Sequence, residues 1–226
     1  MVDASVGGKT GINSDYGKNL IGAFHSPVAV IIDSNFLTTL SDRDFSAGMA
    51  EVIKCGFISD PEILTLAAAY SVATLRKNPE VLAELIQRAV SVKAEVVSAD
   101  FKESFAREAL NYGHTLGHAI EIHSKYQLRH GEAVSIGLVY AAELASARGL
   151  ISADELALHR SILSAYDLPI TFDRQSWQKL APLLALDKKA RGNTIRFVSL
   201  KGIGATIRLE DLTSAELDSA YERITS

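Results

Sequence analysis

Four of the chain's six histidines fall within seventeen residues, a density that points to chemistry. They are His114, His118, His123 and His130. Imidazole is the commonest metal ligand in proteins and the side chain that titrates closest to neutral pH, so the segment predicts metal binding or acid–base catalysis. A surface helix that happens to be rich in histidine is the alternative.

Polar residues around these histidines are spaced along one helical face. Apolar residues recur at helical intervals from Phe105 to His123, which predicts a helix. On it, a stripe at i, i+4, i+7 and i+11 consists of Arg107, Asn111, His114 and His118. Such a stripe can bind an anion at one end and a metal at the other, or it is an ordinary solvated face. Gly113 and Gly117 predict close approach of another backbone or a ligand.

A metal site built on histidines needs a carboxylate, and Glu51 is the candidate. It lies in the apolar stretch AGMAEVIKCGF, where an ionised carboxylate is costly to bury unless it is paired. Lys54 follows on the same helical face, so a local Glu–Lys pair is the simpler interpretation. The alternative is a metal ligand beside a substrate-binding ammonium, since two histidines and one glutamate are typical of catalytic zinc sites. The spacing does not decide which two histidines ligate, and the HExxH motif is absent.

Lysines elsewhere are candidates for binding anions. Lys9 lies in the glycine-rich run VGGKTG and is followed by Lys18 and Asn19. A Walker A loop is excluded, because that motif requires glycine where this chain has Asp3. A solvated loop and an anion-binding loop both remain open. Lys188 and Lys189 form a weaker candidate in a charged turn.

Composition excludes several classes of protein. The net charge of −4 and the pI near 5.9 give no electrostatic footprint for nucleic acid. No apolar run approaches the roughly 20 residues that span a bilayer, and the N-terminus does not resemble a signal peptide. The single cysteine, Cys55, is expected to be a buried small hydrophobe in a protein of the reducing cytoplasm.

Local patterns predict one mainly α-helical domain with a small β-hairpin. Helices are predicted from Ser41 onward, over 61–76, 79–99 and 131–149, and after two capping boxes at Ser152/Glu155 and Thr213/Glu216. The run 28–33 predicts a strand, and 194–200 with 205–209 a hairpin. Residues 1–26 show no clear period. A phosphate-type loop with no strand before it suggests that the chain begins partway through a larger protein.

Taken together, several segments resemble the 3-dehydroquinate synthases, a family of sugar-phosphate cyclases. They are VDASVGGKTGIN, GKNLIGAFHSP, GMAEVIK, NYGHTLGHAIE, HGEAVSIG and LDKK with IRFVSLKGIG. Their combination spans nearly the whole chain and is highly specific. The resemblance implies that residues 1–226 are the helical metal- and substrate-binding half of the dehydroquinate synthase-like fold, without the N-terminal half that binds NAD.

The resemblance also implies site residues. The metal ligands would be Glu51, His114 and His130, with His118 on the substrate side and His123 on the surface. The residues facing substrate would be Lys54, Lys93, Arg107, Asn111, His118, Lys9, Asn19, Asp3 and one of Lys188 and Lys189. The contribution to NAD binding would come from Lys9, Lys18, Phe36, Leu37, Thr38 and Thr39.

The activity implied is a phosphate lyase and cyclase that uses NAD and zinc or cobalt. It converts 3-deoxy-D-arabino-heptulosonate 7-phosphate to 3-dehydroquinate in the shikimate pathway of aromatic amino acid biosynthesis. The expected partner is a small sugar phosphate, not nucleic acid or membrane, and the expected full-length form is a homodimer. Alternatives are a sister cyclase acting on sedoheptulose 7-phosphate or glucose 6-phosphate, or a zinc-binding domain that is inactive when isolated.

Overall fold

The computed structural model describes residues 1–14, 17–99, 106–190 and 196–226. Two antiparallel hairpins flank a set of helices. The strands are β1 (Lys9–Ser14), β2 (Gly17–Phe24), β3 (Phe197–Leu200) and β4 (Thr206–Leu209). The helices are α1 (Asp42–Ile58), α2 (Glu62–Ala68), α3 (Val72–Leu75), α4 (Pro79–Ala99), α5 (His114–His123), α6 (His130–Ala147), α7 (Ala153–Ala165), α8 (Trp177–Ala190) and α9 (Ser214–Glu222). Single 3-10 turns cover Ser34–Thr39, Ala106–Asn111 and Arg174–Ser176.

Helix α6 forms the centre of the helical core. Every residue from Gly131 to Ala145 is buried, because α1, α5, α7, α9 and strand β3 surround it. Its sequence is almost entirely small and apolar, as expected for a helix that is covered on all sides. Glu143 is one of its few charged residues, and it is paired with Arg160.

Two glycines allow α6 to approach its neighbours at backbone distance. A Cβ atom on Gly131 would lie 1.9 Å from the carbonyl oxygen of Ala47 in α1. A Cβ on Gly137 would lie 1.9 Å from the carbonyl oxygen of Gly113, just before α5. Only glycine fits at either position, so the chain's sequence fixes how closely α1, α5 and α6 converge. The close approach of another backbone, predicted from the glycines around His114, is confirmed.

The predicted helix over the histidine segment is interrupted. Residues Ala106–Asn111 form a 3-10 turn, Gly113 takes a left-handed conformation with φ of 78°, and α5 begins only at His114. The expectation of one continuous stripe from Arg107 to His118 is therefore wrong. A left-handed residue cannot continue an α-helix, and it turns the chain between the two halves of the stripe.

Other helix predictions are largely confirmed. Ser41 caps α1, and the capping boxes at Ser152/Glu155 and Thr213/Glu216 open α7 and α9. The predicted helices over 79–99 and 131–149 correspond to α4 and α6. The helix predicted over 61–76 is instead two, α2 and α3, because Ser71 starts a new capping box with Thr74.

The β structure differs from prediction at the start of the chain. The run 28–33 forms no strand, and Val28 and Ile31 are almost fully exposed. Strands β1 and β2 lie where no period was seen, paired in a register that sets Ile12 opposite Ile21. Both of these side chains are exposed, so this cross-strand pair has no buried position that would mark a strand in the sequence. The second hairpin, β3–β4, is confirmed.

Within the described residues, no helix is both long and apolar enough to cross a membrane.

Candidate metal centre and substrate cleft

The convergence of α1, α5 and α6 brings a glutamate and two histidines together. Nε2 of His114 lies 3.6 Å and Nε2 of His130 lies 3.4 Å from Oε1 of Glu51. One possible ligand atom from each residue falls within 4.8 Å of the others. Among the described residues, His118 is not part of this group, although its ring centroid is 5.3 Å from that of His114.

Hydrogen bonds on the far side of each ring settle which nitrogen faces the centre. Nδ1 of His114 lies 3.1 Å from the carbonyl oxygen of Tyr112, and Nδ1 of His130 lies 3.1 Å from Oε1 of Glu121. A carbonyl or carboxylate oxygen can only accept, so each Nδ1 carries the proton and donates it. With Nδ1 bonded on its far side, each ring turns its Nε2 toward Glu51, and Nε2 is the atom that would bind a metal once it carries no proton.

Lys54 forms a buried ion pair with Glu51. Its Nζ lies 2.6 Å from Oε2 of Glu51 and donates to the carbonyl oxygen of Leu110 at 2.8 Å. Burial alone raises the pKa of the Glu51 carboxyl, but Lys54, His130 and His114 outweigh it and hold this pKa well below its ordinary value. Burial likewise lowers the pKa of Lys54, and the Glu51 carboxylate more than compensates, so that this pKa is raised. Both groups are therefore charged at neutral pH.

The two candidate ligand histidines differ in protonation. Burial and the nearby Lys54 ammonium hold the pKa of His114 well below its ordinary value. Burial also acts to lower the pKa of His130, but the carboxylates of Glu121 and Glu51 outweigh it and raise this pKa to about 9. His114 is therefore neutral at neutral pH, whereas His130 carries a proton on both nitrogens, and a cation bound beside Glu51 would take the place of the Nε2 proton of His130.

The donor set fits a divalent cation. Oε1 of Glu51 is buried and has no hydrogen-bond partner among the described residues, although it faces both Nε2 atoms. An unsatisfied buried carboxylate oxygen is costly, and a cation bound between it and the two imidazoles would remove that cost. Two histidines and one carboxylate with open positions form the ligand set of catalytic zinc sites.

A cleft opens beside this centre. It is lined by Glu108, Asn111, His114, Thr115, His118, Arg196 and Val198. Nδ2 of Asn111 is buried and makes no hydrogen bond within the described residues, so the amide has a donor available for a ligand. His118 is exposed at the edge of the cleft. Although the predicted stripe is broken, Asn111, His114 and His118 still face one cleft.

Arg107 and Lys93 hold the first residues of the chain against this region. Nη2 of Arg107 donates to the carbonyl oxygen of Gly7 at 3.0 Å, and Lys93 donates to the backbone and the carboxylate of Asp3. Gly7 has a φ of 119°, a backbone conformation that favours glycine over residues with a side chain. Both cations are buried. Lys93 and Arg107 thus contact the N-terminal loop through Asp3 and Gly7.

Several residues implied by the resemblance are not placed in the cleft. The side chains of Lys9, Lys18, Asn19, Lys188 and Lys189 lie outside what the structure describes, although their backbones belong to β1, β2 and α8. Phe36, Leu37, Thr38 and Thr39 lie in a 3-10 turn whose carbonyls accept from Arg76, and Phe36 is exposed. His123 is half-buried and bonds Ser176 at 3.0 Å, so the expectation of a surface residue is only partly right.

Sequence reasoning missed Glu121 and the arginines around the cleft. Glu121 ends the NYGHTLGHAIE motif and is buried, yet it was not considered as a partner for histidine. Glu108 contacts Arg208 and lies 3.8 Å from Arg196, which lines the cleft. A glutamate in an apolar helical stretch, the signal that found Glu51, could have found Glu121 as well.

A buried centre with ligand atoms from three helices, and with cations beside it, is typical of metalloenzymes that act on anionic small molecules. Comparison with known sequences identifies which group of these it is. The chain belongs to the 3-dehydroquinate synthase family: residues 48–190 match the model described as 3-dehydroquinate synthase C-terminal, and residues 1–47 match its N-terminal counterpart.

Curated relatives are identical to this chain at about half of the aligned positions. The 3-dehydroquinate synthase of Paenarthrobacter aurescens (strain TC1) is 52% identical over 226 residues, which is 100% of this chain and 62% of the relative. That of Thermobifida fusca (strain YX) is 51% identical over 224 residues, covering 99% of this chain and 61% of the relative. The chain therefore spans about three fifths of the length of these relatives.

Solved structures share the fold. The 2-epi-5-epi-valiolone synthase of Streptomyces hygroscopicus subsp. jinggangensis 5008, solved with NAD+ and Zn2+ bound, matches with a TM-score of 0.91 and 29% identity. That match covers 99% of this chain and 62% of the other. A 2-deoxy-scyllo-inosose synthase, solved with carbaglucose-6-phosphate, NAD+ and Co2+, has a TM-score of 0.77 at 24% identity, over 98% of this chain and 64% of the other, and shows the fold alone.

Proposed function

We propose that this chain is the metal- and substrate-binding part of a 3-dehydroquinate synthase. The reaction is conversion of 3-deoxy-D-arabino-heptulosonate 7-phosphate to 3-dehydroquinate and inorganic phosphate, a lyase step of the shikimate pathway. The observation that carries the proposal is the convergence of Glu51, His114 and His130 beside a buried lysine, in a chain 52% identical to such synthases.

Zinc, or cobalt in its place, is the proposed metal, with Glu51, His114 and His130 as its protein ligands. When bound, it acts as a Lewis acid on a substrate oxygen. Lys54 keeps Glu51 ionised, and the hydrogen bonds to Nδ1 keep both imidazoles in the ligating tautomer. The related valiolone synthase, which was solved with Zn2+, supports this choice.

NAD is the proposed redox cofactor, and it supplies hydride transfer to and from the substrate. This chain would contribute Lys9, Lys18 and the run Phe36 to Thr39. The exposed phenyl ring of Phe36, on a turn held by Arg76, is compatible with one wall of a nucleotide cleft. NAD+ in the structure of the valiolone synthase supports the assignment.

Cationic and amide side chains are proposed to hold the anionic substrate. Arg107, Asn111 and His118 would bind its carboxylate, and a phosphate needs further cations nearby. The residues proposed to complete this set are Lys54, Lys93, Asp3, Lys9, Asn19 and one of Lys188 and Lys189. Their work is binding and orientation, because the cofactor carries out the redox chemistry.

A sister sugar-phosphate cyclase is the second candidate. The TM-score of 0.91 to a valiolone synthase shows that this fold serves related cyclases, so the fold does not choose the substrate. The higher identity to dehydroquinate synthases, 52% against 29%, favours the first proposal.

A cytoplasmic, homodimeric enzyme is also part of the proposal. Cys55 is buried, and burial raises the pKa of its thiol to about 12, so it is an inert structural residue compatible with a reducing compartment. Sedimentation of the full-length protein would test the dimer, which a single monomeric species would contradict.

The test is phosphate release by this chain joined to the part of the Paenarthrobacter aurescens relative that it does not cover. With 3-deoxy-D-arabino-heptulosonate 7-phosphate, we expect release that requires both NAD and zinc and that Glu51→Gln abolishes. Glu143→Gln, which removes a buried carboxylate paired with Arg160, is the matched control and should retain activity. The 226-residue chain alone is expected to bind zinc without measurable turnover. Release from sedoheptulose 7-phosphate instead would favour the sister cyclase.

A further inference from the structure

We propose that Glu121 is the positioning residue of the metal centre, and that it acts by fixing the ring of His130. The inference rests on the proposed metal site and adds a residue that does not touch the metal. Glu121 belongs to α5, whereas the ring that it orients belongs to α6. It would therefore couple the two helices at the point where they supply ligands.

The geometry of His130 depends on this carboxylate. Oε1 of Glu121 lies 3.1 Å from Nδ1 of His130, and on the opposite edge of the ring Nε2 lies 3.4 Å from Oε1 of Glu51. Because the Glu121 carboxylate accepts a hydrogen bond from Nδ1, Nε2 is the ring nitrogen that remains to bind a cation. A ring turned by 180° would lose both relations at once.

His130 has more need of such a partner than His114 has. The side chain of His130 is 32% exposed and stands at the first position of α6, whereas that of His114 is 11% exposed. The ring of His114 is held by a backbone carbonyl, that of Tyr112, which no substitution at residue 112 removes. Only the orientation of His130 depends on a replaceable side chain.

Glu121 is buried and contacts the ring of His130. Glu121 is 3% exposed, and a carboxylate at that depth loses hydration that its contacts must replace. A carboxylate behind a metal-bound imidazole fixes its tautomer and raises its basicity, and loss of such partners weakens metal affinity roughly 10- to 100-fold. The carboxylate of Glu121 is therefore placed where it can fix the tautomer of His130.

Zinc affinity of the 226-residue chain, measured by competition with a chromophoric chelator, tests the inference. Glu121→Gln keeps an acceptor without the charge and is expected to weaken zinc binding about 10-fold, and Glu121→Ala about 100-fold. Glu143→Gln, which removes an equally buried paired carboxylate about 20 Å along α6, should leave the affinity unchanged. In protein loaded with Co2+, the visible absorption bands should shift in both Glu121 variants and not in the control.

The outcomes separate this inference from the proposed function. Wild-type chain that binds one zinc, with Glu121 variants that are folded by circular dichroism and bind it equally well, would overturn the positioning role alone. Equal losses in Glu121→Gln and Glu143→Gln would show a merely structural effect and would also overturn it. Wild-type chain that binds no zinc at all would overturn the metal site together with the inference.

Discussion

At the residue scale, the centre depends on two imidazole Nε2 atoms that face one ionised carboxylate. The backbone carbonyl of Tyr112 and the carboxylate of Glu121 each accept a hydrogen bond from Nδ1 of a ring, so both Nε2 atoms face Oε1 of Glu51. Lys54 neutralises part of the buried negative charge through the other oxygen of the same carboxylate. Oε1 of Glu51 has no hydrogen-bond partner among the described residues, and it marks the position where a cation would bind.

His130→Ala is expected to remove zinc from the chain, because one of three protein ligands is lost. His123→Ala is the matched control: its imidazole bonds Ser176 and does not belong to the cluster. Metal content by mass spectrometry should fall from about one zinc per chain to near zero in the first variant and stay unchanged in the second. The reverse pattern would show that the histidines are misassigned.

The choice of ligands could not be made from residue spacing. Four histidines within one segment offered several pairs, and His114 and His118 do lie one turn apart on α5. The start of a new helix at His130 and the packing of α6 against α1 decide the pair, because they bring His130 to Glu51, and neither can be read from hydrophobic period. Only the resemblance to a family selected His130.

At the scale of elements, the site depends on how closely α6 approaches α1 and α5. Gly131 of α6 packs against the backbone of Ala47 in α1, and Gly137 of α6 packs against the backbone of Gly113, just before α5. Glu51 lies one turn beyond Ala47, and His130 immediately precedes Gly131. The same contact that packs the helices therefore sets the distance between two proposed ligands.

Gly131→Ala is expected to weaken zinc binding and to lower the free energy of unfolding by about 1–3 kcal/mol, the usual cost of overpacking. The added Cβ would lie 1.9 Å from the Ala47 carbonyl oxygen, so α6 must move away from α1. In Gly48→Ala, one residue along α1 from Ala47, the new methyl meets nothing within 4 Å. That variant should keep its zinc and gain up to about 1 kcal/mol in urea denaturation. Equal effects of the two substitutions would contradict the role assigned to the helix contact.

Helices with clear end signals were predictable, and the first hairpin was not. Capping boxes at Ser152 and Thr213 mark local hydrogen bonds that the sequence itself specifies. Strands β1 and β2 pair through their backbones, and Ile12 and Ile21 stay exposed, so side-chain pattern gave no signal. The strand predicted over 28–33 was wrong for the opposite reason. Its β-branched residues suit a strand, but no described strand pairs with it.

At the scale of the whole molecule, exposed apolar side chains and the buried core lie in different parts of the chain. Of the nine exposed large apolar residues among those described, seven lie between Ile12 and Leu40. This segment lies within residues 1–47, which match the N-terminal family model, whereas the buried core is built from the residues after it. The two parts of the chain therefore differ in packing at the same place where the family models meet.

A fully buried histidine in the core, His159, adds to the sensitivity of the fold to acid. His159 stacks on Phe57 with ring centroids 3.6 Å apart, accepts from the hydroxyl of Tyr112 and donates to the carbonyl of Glu155. Burial lowers the pKa of His159 to about 4. The unfolded chain takes up this proton below about pH 6.5, and the folded chain resists it until about pH 4.

The free energy of unfolding is therefore expected to fall as the pH is lowered from about 6.5 to 4, with His159 contributing about 3 kcal/mol over that window. Urea denaturation at several pH values should show a flatter profile in His159→Gln than in the wild type. His25→Gln, at an exposed position, serves as the control for histidine content. An unchanged acid profile in His159→Gln would contradict a neutral buried imidazole.

The most direct test of the account is the position of zinc in a crystal of the zinc-loaded chain, located by anomalous scattering at the zinc edge. We expect one peak about 2.0–2.2 Å from Nε2 of His114, Nε2 of His130 and a carboxylate oxygen of Glu51. Such a peak would establish the centre from which the proposed binding and chemistry follow. A peak at other residues, or zinc-loaded crystals with no peak at this cluster, would contradict the account.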